Sequence, residues 1–148
     1  MGPAFTIRIA GLSAHTTWRT AACVIAGMSA VLGFLATSPA ATSASVHAAG
    51  RELEMLLRFM AVVKAGFALG LVSLAAWRLG FPAQPGIATA YLAACALMPA
   101  GAGLIWGLAH VVIGALLFHS GMILLIAVGW VDQETAGELM MKTIRKRK

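Results

Sequence analysis

Residues 103–130 read GLIWGLAHVVIGALLFHSGMILLIAVGW, without one Asp, Glu, Lys or Arg. A water-soluble domain has nowhere to hide so long an apolar run, whereas a helix of about 20 such residues crosses the hydrocarbon core of a bilayer. The run belongs to a longer charge-free stretch from Gly86 to Val131, which is far too long for a single crossing. Within that stretch, Pro99-Ala100-Gly101-Ala102-Gly103 holds the strongest local breakers, and it predicts a tight turn there.

Working outward, three further apolar runs precede this one, at about 20–37, 55–76 and 82–98. The whole chain is 60% hydrophobic and 11% charged, with a mean hydropathy of +0.88. Soluble domains are about half apolar and about a quarter charged, so this composition excludes an ordinary soluble fold. Spanning segments are helices or closed barrels, because an open sheet edge has no partner in lipid. Barrel strands alternate polar with apolar residues, and these runs do not. The expectation is an all-α integral membrane four-helix bundle, a single transmembrane domain over 1–148 without internal repeats, ending in a short basic tail at 131–148.

Orientation follows from lysine and arginine. Arg8 and Arg19 precede the first span, Arg78 lies in the second connection, and the tail carries Lys142, Arg145, Lys146, Arg147 and Lys148. The first connection has no basic residue before Arg51, and the third has none. The positive-inside rule then places both termini in the cytoplasm (N-in/C-in), with the chain in a bacterial inner membrane. Trp18, Trp77 and Trp130 fall at the expected cytoplasmic interface and Trp106 near the opposite one, where amphipathic indoles are enriched. One alternative concerns the first span, whose basic start and small-residue exit through Val46-His47-Ala48 resemble a signal peptide. The apolar run exceeds the usual h-region of about 7–15 residues, which favours a retained helix.

The net charge of +6 is not a nucleic-acid footprint, since the basic residues crowd into the tail without an aromatic platform. Arg145, Lys146, Arg147 and Lys148 are expected to contact anionic lipid headgroups, either from a short surface helix carrying Glu138 and Lys142 or from a solvated tail.

Lys64 is the residue most suggestive of function. It lies well inside the second span, where a charge costs at least about 2.5–3.5 kcal/mol, so it should pair, line a wet cavity or snorkel along its stem. No carboxylate falls within the expected spans; Glu54 is placed for Arg58 at i,i+4. His110 and His119 both fall in the expected fourth span, on opposite faces and about 13 Å apart along a helix, too far to share a metal. His110 follows a stripe of small residues, Gly103, Gly107, Gly114 and Gly121, which predicts a helix–helix contact. Gly66 and Gly70 make a second GxxxG step in the second span. Lys64 and His110 fall at similar depths, so an intramembrane polar pocket built from both is a further expectation.

No metal and no cofactor is expected. A b-type haem would need a second axial ligand facing His110 or His119 from another helix, such as Met28, Met60 or Met98, or from a second copy. The eight methionines form no metal-binding cluster, and Cys23 and Cys95 read as small packing residues. With no nucleophile–base–acid set, the chain is expected to be a small non-enzymatic membrane protein, an accessory subunit of a membrane partner or a homo-oligomer. A transporter or channel for an anion or polar solute using Lys64 and His110 is the second reading, and a haem- or quinone-associated anchor the third.

Overall fold

The computed structural model describes the backbone of residues 3–145 and the side chains of residues 17–48 and 50–133. The chain forms five helices: α1 (Pro3–Leu35), α2 (Pro39–Ala49), α3 (Arg51–Arg78), α4 (Pro85–Trp106) and α5 (Val111–Arg145). Thr17–Leu35, Arg51–Arg78, Pro85–Trp106 and Val111–Gln133 are long and apolar enough to cross a membrane. The expected all-α bundle of four membrane-length helices is therefore the observed fold class. Helices satisfy their own backbone donors and acceptors, which lipid does not.

The reversal between the last two spans is not where the breakers predict it. Pro99 is buried inside α4, and the chain turns at 107–110 instead. The third span is thus Pro85–Trp106 rather than 82–98, and the fourth begins at Val111 rather than Gly103. Proline forfeits one helical hydrogen bond, a loss that packed membrane helices tolerate. Around Pro99, α4 is held on two sides by neighbouring backbones, so packing outweighs local propensity. The actual turn places Leu108 at φ 60°, a conformation that costs a non-glycine residue roughly 1–2 kcal/mol. Burial of the Leu108 side chain and backbone bonds from Leu108 N to Ile105 O and Ala109 N to Gly107 O hold it there.

α4 is the centre of the bundle. Of its spanning window 44% is buried, against 17% for α1 and 28% each for α3 and α5. Glycines let the neighbouring helices reach its backbone. A Cβ on Gly101 would stand 2.5 Å from Gly114 O, and one on Gly114 would stand 2.7 Å from Gly101 O. Gly121 meets Met98 and Leu97 farther along, so α4 and α5 run antiparallel. On the opposite side, a Cβ on Gly103 would lie 2.7 Å from Ala30 O, and Gly33 meets the Ala100 backbone. α3 packs on α4 as well but makes little contact with α1, so an apolar groove opens between α1 and α3.

The first connection, which joins α1 to α3, is largely the helix α2. Ser38 caps it by accepting a hydrogen bond from Ala41 N at 3.1 Å, and Pro39 fits the first turn. Thr42 Oγ1 donates to Gly107 O at 2.8 Å, fastening α2 over the end of α4. A Cβ on Gly107 would collide with the Thr37 side chain. At the other terminus α5 continues unbroken to Arg145 rather than yielding a separate surface helix. The Glu138–Lys142 pair and the expected lipid contacts of Arg145, Lys146, Arg147 and Lys148 lie outside the described residues.

Candidate functional site

Three polar clusters interrupt the apolar bundle among the described residues. The tightest joins Arg78 at the end of α3, Tyr91 in α4 and Asp132 in α5. Arg78 Nε lies 2.6 Å from Asp132 Oδ2, and Arg78 Nη2 donates to Asp132 Oδ1 at 2.7 Å. Tyr91 Oη donates to Asp132 Oδ2 at 3.2 Å. Asp132 is only 5% exposed. A two-pronged guanidinium–carboxylate pair is among the strongest hydrogen-bonded arrangements available to side chains, and here it locks three helices together. This corrects the expectation that no carboxylate enters a span, because Val111–Gln133 includes Asp132. The sequence did carry a signal: Asp132 is the lone aspartate of the chain, close behind the last apolar run, and Tyr91 is its lone tyrosine, inside the third.

The second cluster is at mid-depth. Lys64 Nζ lies 4.4 Å from the centroid of the buried Phe118 ring. Lys64 to Arg78 and Phe118 to Asp132 are both fourteen residues apart, so α3 and α5 run in register and the two contacts are separated by about 21 Å. The ammonium therefore rests on an aromatic face, a contact of about 0.5–2 kcal/mol, rather than on a carboxylate. His110 is not beside it. His110 is exposed in the turn before α5 rather than inside the fourth span, about 10 Å along the axis from Phe118. No hydrogen bond, ion pair or ring contact joins it to Lys64, so the expected pocket of Lys64 and His110 does not form.

The third cluster lies at the α2 end. Arg58 Nη2 pairs with Glu54 Oε1 at 2.9 Å, the i,i+4 pair expected from sequence. The Arg58 guanidinium also lies 5.5 Å from the centroid of Trp106. Its Nε is buried with no hydrogen-bond partner.

No protein-family model matches the chain, and no curated protein or solved structure matches it either.

The remaining chemistry-bearing residues are dispersed. His119 is exposed, with Nδ1 2.7 Å from Ala115 O. Met98 is fully buried against Gly121, while Met28 and Met60 face outward. His110 is likewise exposed. No group of three or more metal-ligating side chains occurs among the described residues. Cys95 is buried as a packing residue, but Cys23 is exposed on the groove between α1 and α3.

The four glycines singled out between 103 and 121 divide differently from expectation. Gly103 and Gly107 belong to α4 and its cap, and together with Gly114 and Gly121 they serve contacts within the chain. Gly66 and Gly70 have nothing within 4 Å of a Cβ and face outward.

Proposed function

We propose that this chain is a small, non-enzymatic protein of a bacterial inner membrane, with cytoplasmic termini, that acts by packing against a membrane partner as an accessory subunit or homo-oligomer. The outward face of α3 carries this reading. Gly66 and Gly70 leave a shallow cleft walled by Val63, Phe67 and Leu71, and a GxxxG step open to lipid lets a second helix approach closely. The other close-packing glycines are already occupied inside the bundle. Arg19 beside the Gly80 turn, together with Arg78, gives one end of the bundle its basic character, which supports a cytoplasmic assignment for that end.

Gly66→Leu and Gly70→Leu are the variants of choice, because the space beyond each glycine is empty and the fold should accept them. Expected is an unchanged melting profile in mild detergent, with loss of the co-purifying partner or of the oligomer. Assembly that survives both substitutions would remove the reading. Gly107→Leu and Gly114→Leu do not serve this purpose, since both intrude on contacts within the chain.

The competing reading is a conductor of an anion or polar solute, which requires a wet path to Lys64. The position of the ammonium over Phe118, with apolar Val62, Val63 and Phe67 around it on α3, favours an anchoring role instead. Lys64→Met is expected to shift stability by about 1 kcal/mol or less and to leave solute flux into proteoliposomes as it was. Flux that vanishes while the variant still folds would favour the conductor.

A further inference from the structure

Lys64 carries a charge that the fold does not balance. It stands at the middle of α3, which runs from Arg51 to Arg78, so about 20 Å of helix lie on either side of it. The hydrocarbon core reaches only about 15 Å to each side of the bilayer centre. The four-carbon stem is too short to carry the ammonium from there to either interface. Among the described residues Lys64 has no ion-pair partner and no hydrogen-bond acceptor, and its contact is the Phe118 ring at 4.4 Å. His119, which packs edge-on against the same ring, is no counter-charge either. An ammonium has three donors, and a ring face covers one side of it. Charged side chains at this depth characteristically pair with an opposite charge or line a wet path.

The ammonium also stands at the rim of the cleft over Gly66 and Gly70. Lys64 and Leu71 are seven residues apart and share one stripe of α3, with Phe67 beside it. Phe67 and Leu71 wall the cleft. A helix seated over a GxxxG step approaches closely, so its side chains at mid-depth come within reach of Lys64.

We infer that the helix seated in this cleft belongs to a different protein and carries an aspartate or glutamate at the middle of its span, whose carboxylate pairs with Lys64.

The inference rests on the assembly reading and narrows it to an accessory subunit. A second copy does not supply the carboxylate. The chain's five are Glu52, Glu54, Asp132, Glu134 and Glu138. Glu54 lies about 15 Å from Lys64 along α3 and pairs with Arg58. Asp132 is level with Arg78 and bound to it, and Glu134 and Glu138 follow it along α5. Copies inserted in the same orientation hold these groups at the same depths, so none of them meets Lys64. A lipid phosphate stays at the headgroup level, and the apolar walls of Val63, Phe67 and Leu71 offer a free anion no hydration.

A designed partner tests the pairing. The full chain, with a donor fluorophore at its C-terminus, is reconstituted into phosphatidylcholine liposomes with acceptor-labelled, leucine-rich membrane-spanning peptides. The peptides differ only at their central residue, which is glutamate, glutamine or leucine and keeps its depth whichever way the peptide inserts. Energy transfer is expected to saturate for the glutamate peptide at a mole fraction about tenfold below that for the other two, an advantage of the size polar contacts between membrane helices give. Lys64→Met should erase the advantage while the chain stays folded, and Lys64→Arg should retain it. Equal binding of the glutamate and glutamine peptides, or an advantage that survives Lys64→Met, would overturn the proposal. So would self-association of the chain, without peptide, that is lost in Lys64→Met, since it would give Lys64 to a contact between copies. If glutamate holds no advantage but Gly66→Leu weakens all three peptides alike, the cleft remains an assembly face and only the counter-charge falls. If Gly66→Leu changes nothing, the assembly face falls and the proposal with it.

Discussion

Arg78→Met should be among the most damaging substitutions in the chain, costing about 3–5 kcal/mol, the usual penalty for leaving one partner of a buried ion pair uncompensated. Among the described residues Asp132 would keep only the Tyr91 hydroxyl, in a site where it is 5% exposed. The reverse truncation, Asp132→Ala, should cost less, about 1–3 kcal/mol, because the Arg78 side chain is 24% exposed and can turn to solvent. Tyr91→Phe removes a single 3.2 Å bond and should cost about 1 kcal/mol. The double variant Arg78→Met/Asp132→Leu should recover much of the loss, since an apolar pair of similar volume is often neutral or better where a buried ion pair stood. Thermal or SDS-driven unfolding of the four variants in one detergent measures the order. If Arg78→Met proved no worse than Asp132→Ala, or if the double variant were as weak as Arg78→Met, the pair would not be the clamp that its geometry implies.

Gly101→Val is expected to have an effect of similar or larger size. Its Cβ would lie 2.5 Å from Gly114 O and 2.7 Å from Phe118 N, both backbone atoms that no side-chain rotation can move aside. Relief requires α4 and α5 to part by about 1 Å. That separation weakens dispersion contacts along the whole interface, because attraction falls steeply over such a gap. Overpacking alone typically costs about 1–3 kcal/mol, and here the parting would also loosen Met98 against Gly121 and Tyr91 against Asp132. Gly114→Val should behave alike, since the clash is reciprocal. The expected result is loss of the folded, detergent-soluble monomer, in contrast to the tolerated Gly66→Leu. Native-like melting of Gly101→Val would mean that the α4–α5 interface is looser than these distances imply.

The candidate sites were only partly legible in the chain. Lys64 stood out because a charge inside an apolar run has few explanations, and Glu54 with Arg58 followed from i,i+4 spacing. Phe118 as the neighbour of Lys64 did not, because no local pattern says which of several apolar residues on α5 will face α3. His110 was misplaced for a related reason. Pro99 and its flanking glycines predict a turn, which draws His110 into a helix. Span length argued for the other solution: a turn at 107–110 divides the apolar stretch into spans of 22 and 23 residues, whereas a break at Pro99 leaves one short span and one long one.

What the sequence alone determined is the solvent and the architecture. Four long runs with almost no charge can be satisfied only as helices in lipid, because hydrocarbon supplies no partner for an open backbone. That inference needs no knowledge of which helix touches which. The tertiary structure alone decided the use of the ambiguous residues. Glycine promotes a turn in one setting and backbone contact in another, and proline is tolerated where neighbouring helices hold the chain straight. Gly101, Gly103 and Pro99 serve packing because α1 and α5 lie against α4 on either side of them. Asp132 reads as a tail residue until three helices converge on it, and Arg58 reads only as the i,i+4 partner of Glu54 until Trp106 lies against it. Helix formation is settled by the composition of each segment, whereas partner choice is settled by contacts between residues far apart in the chain.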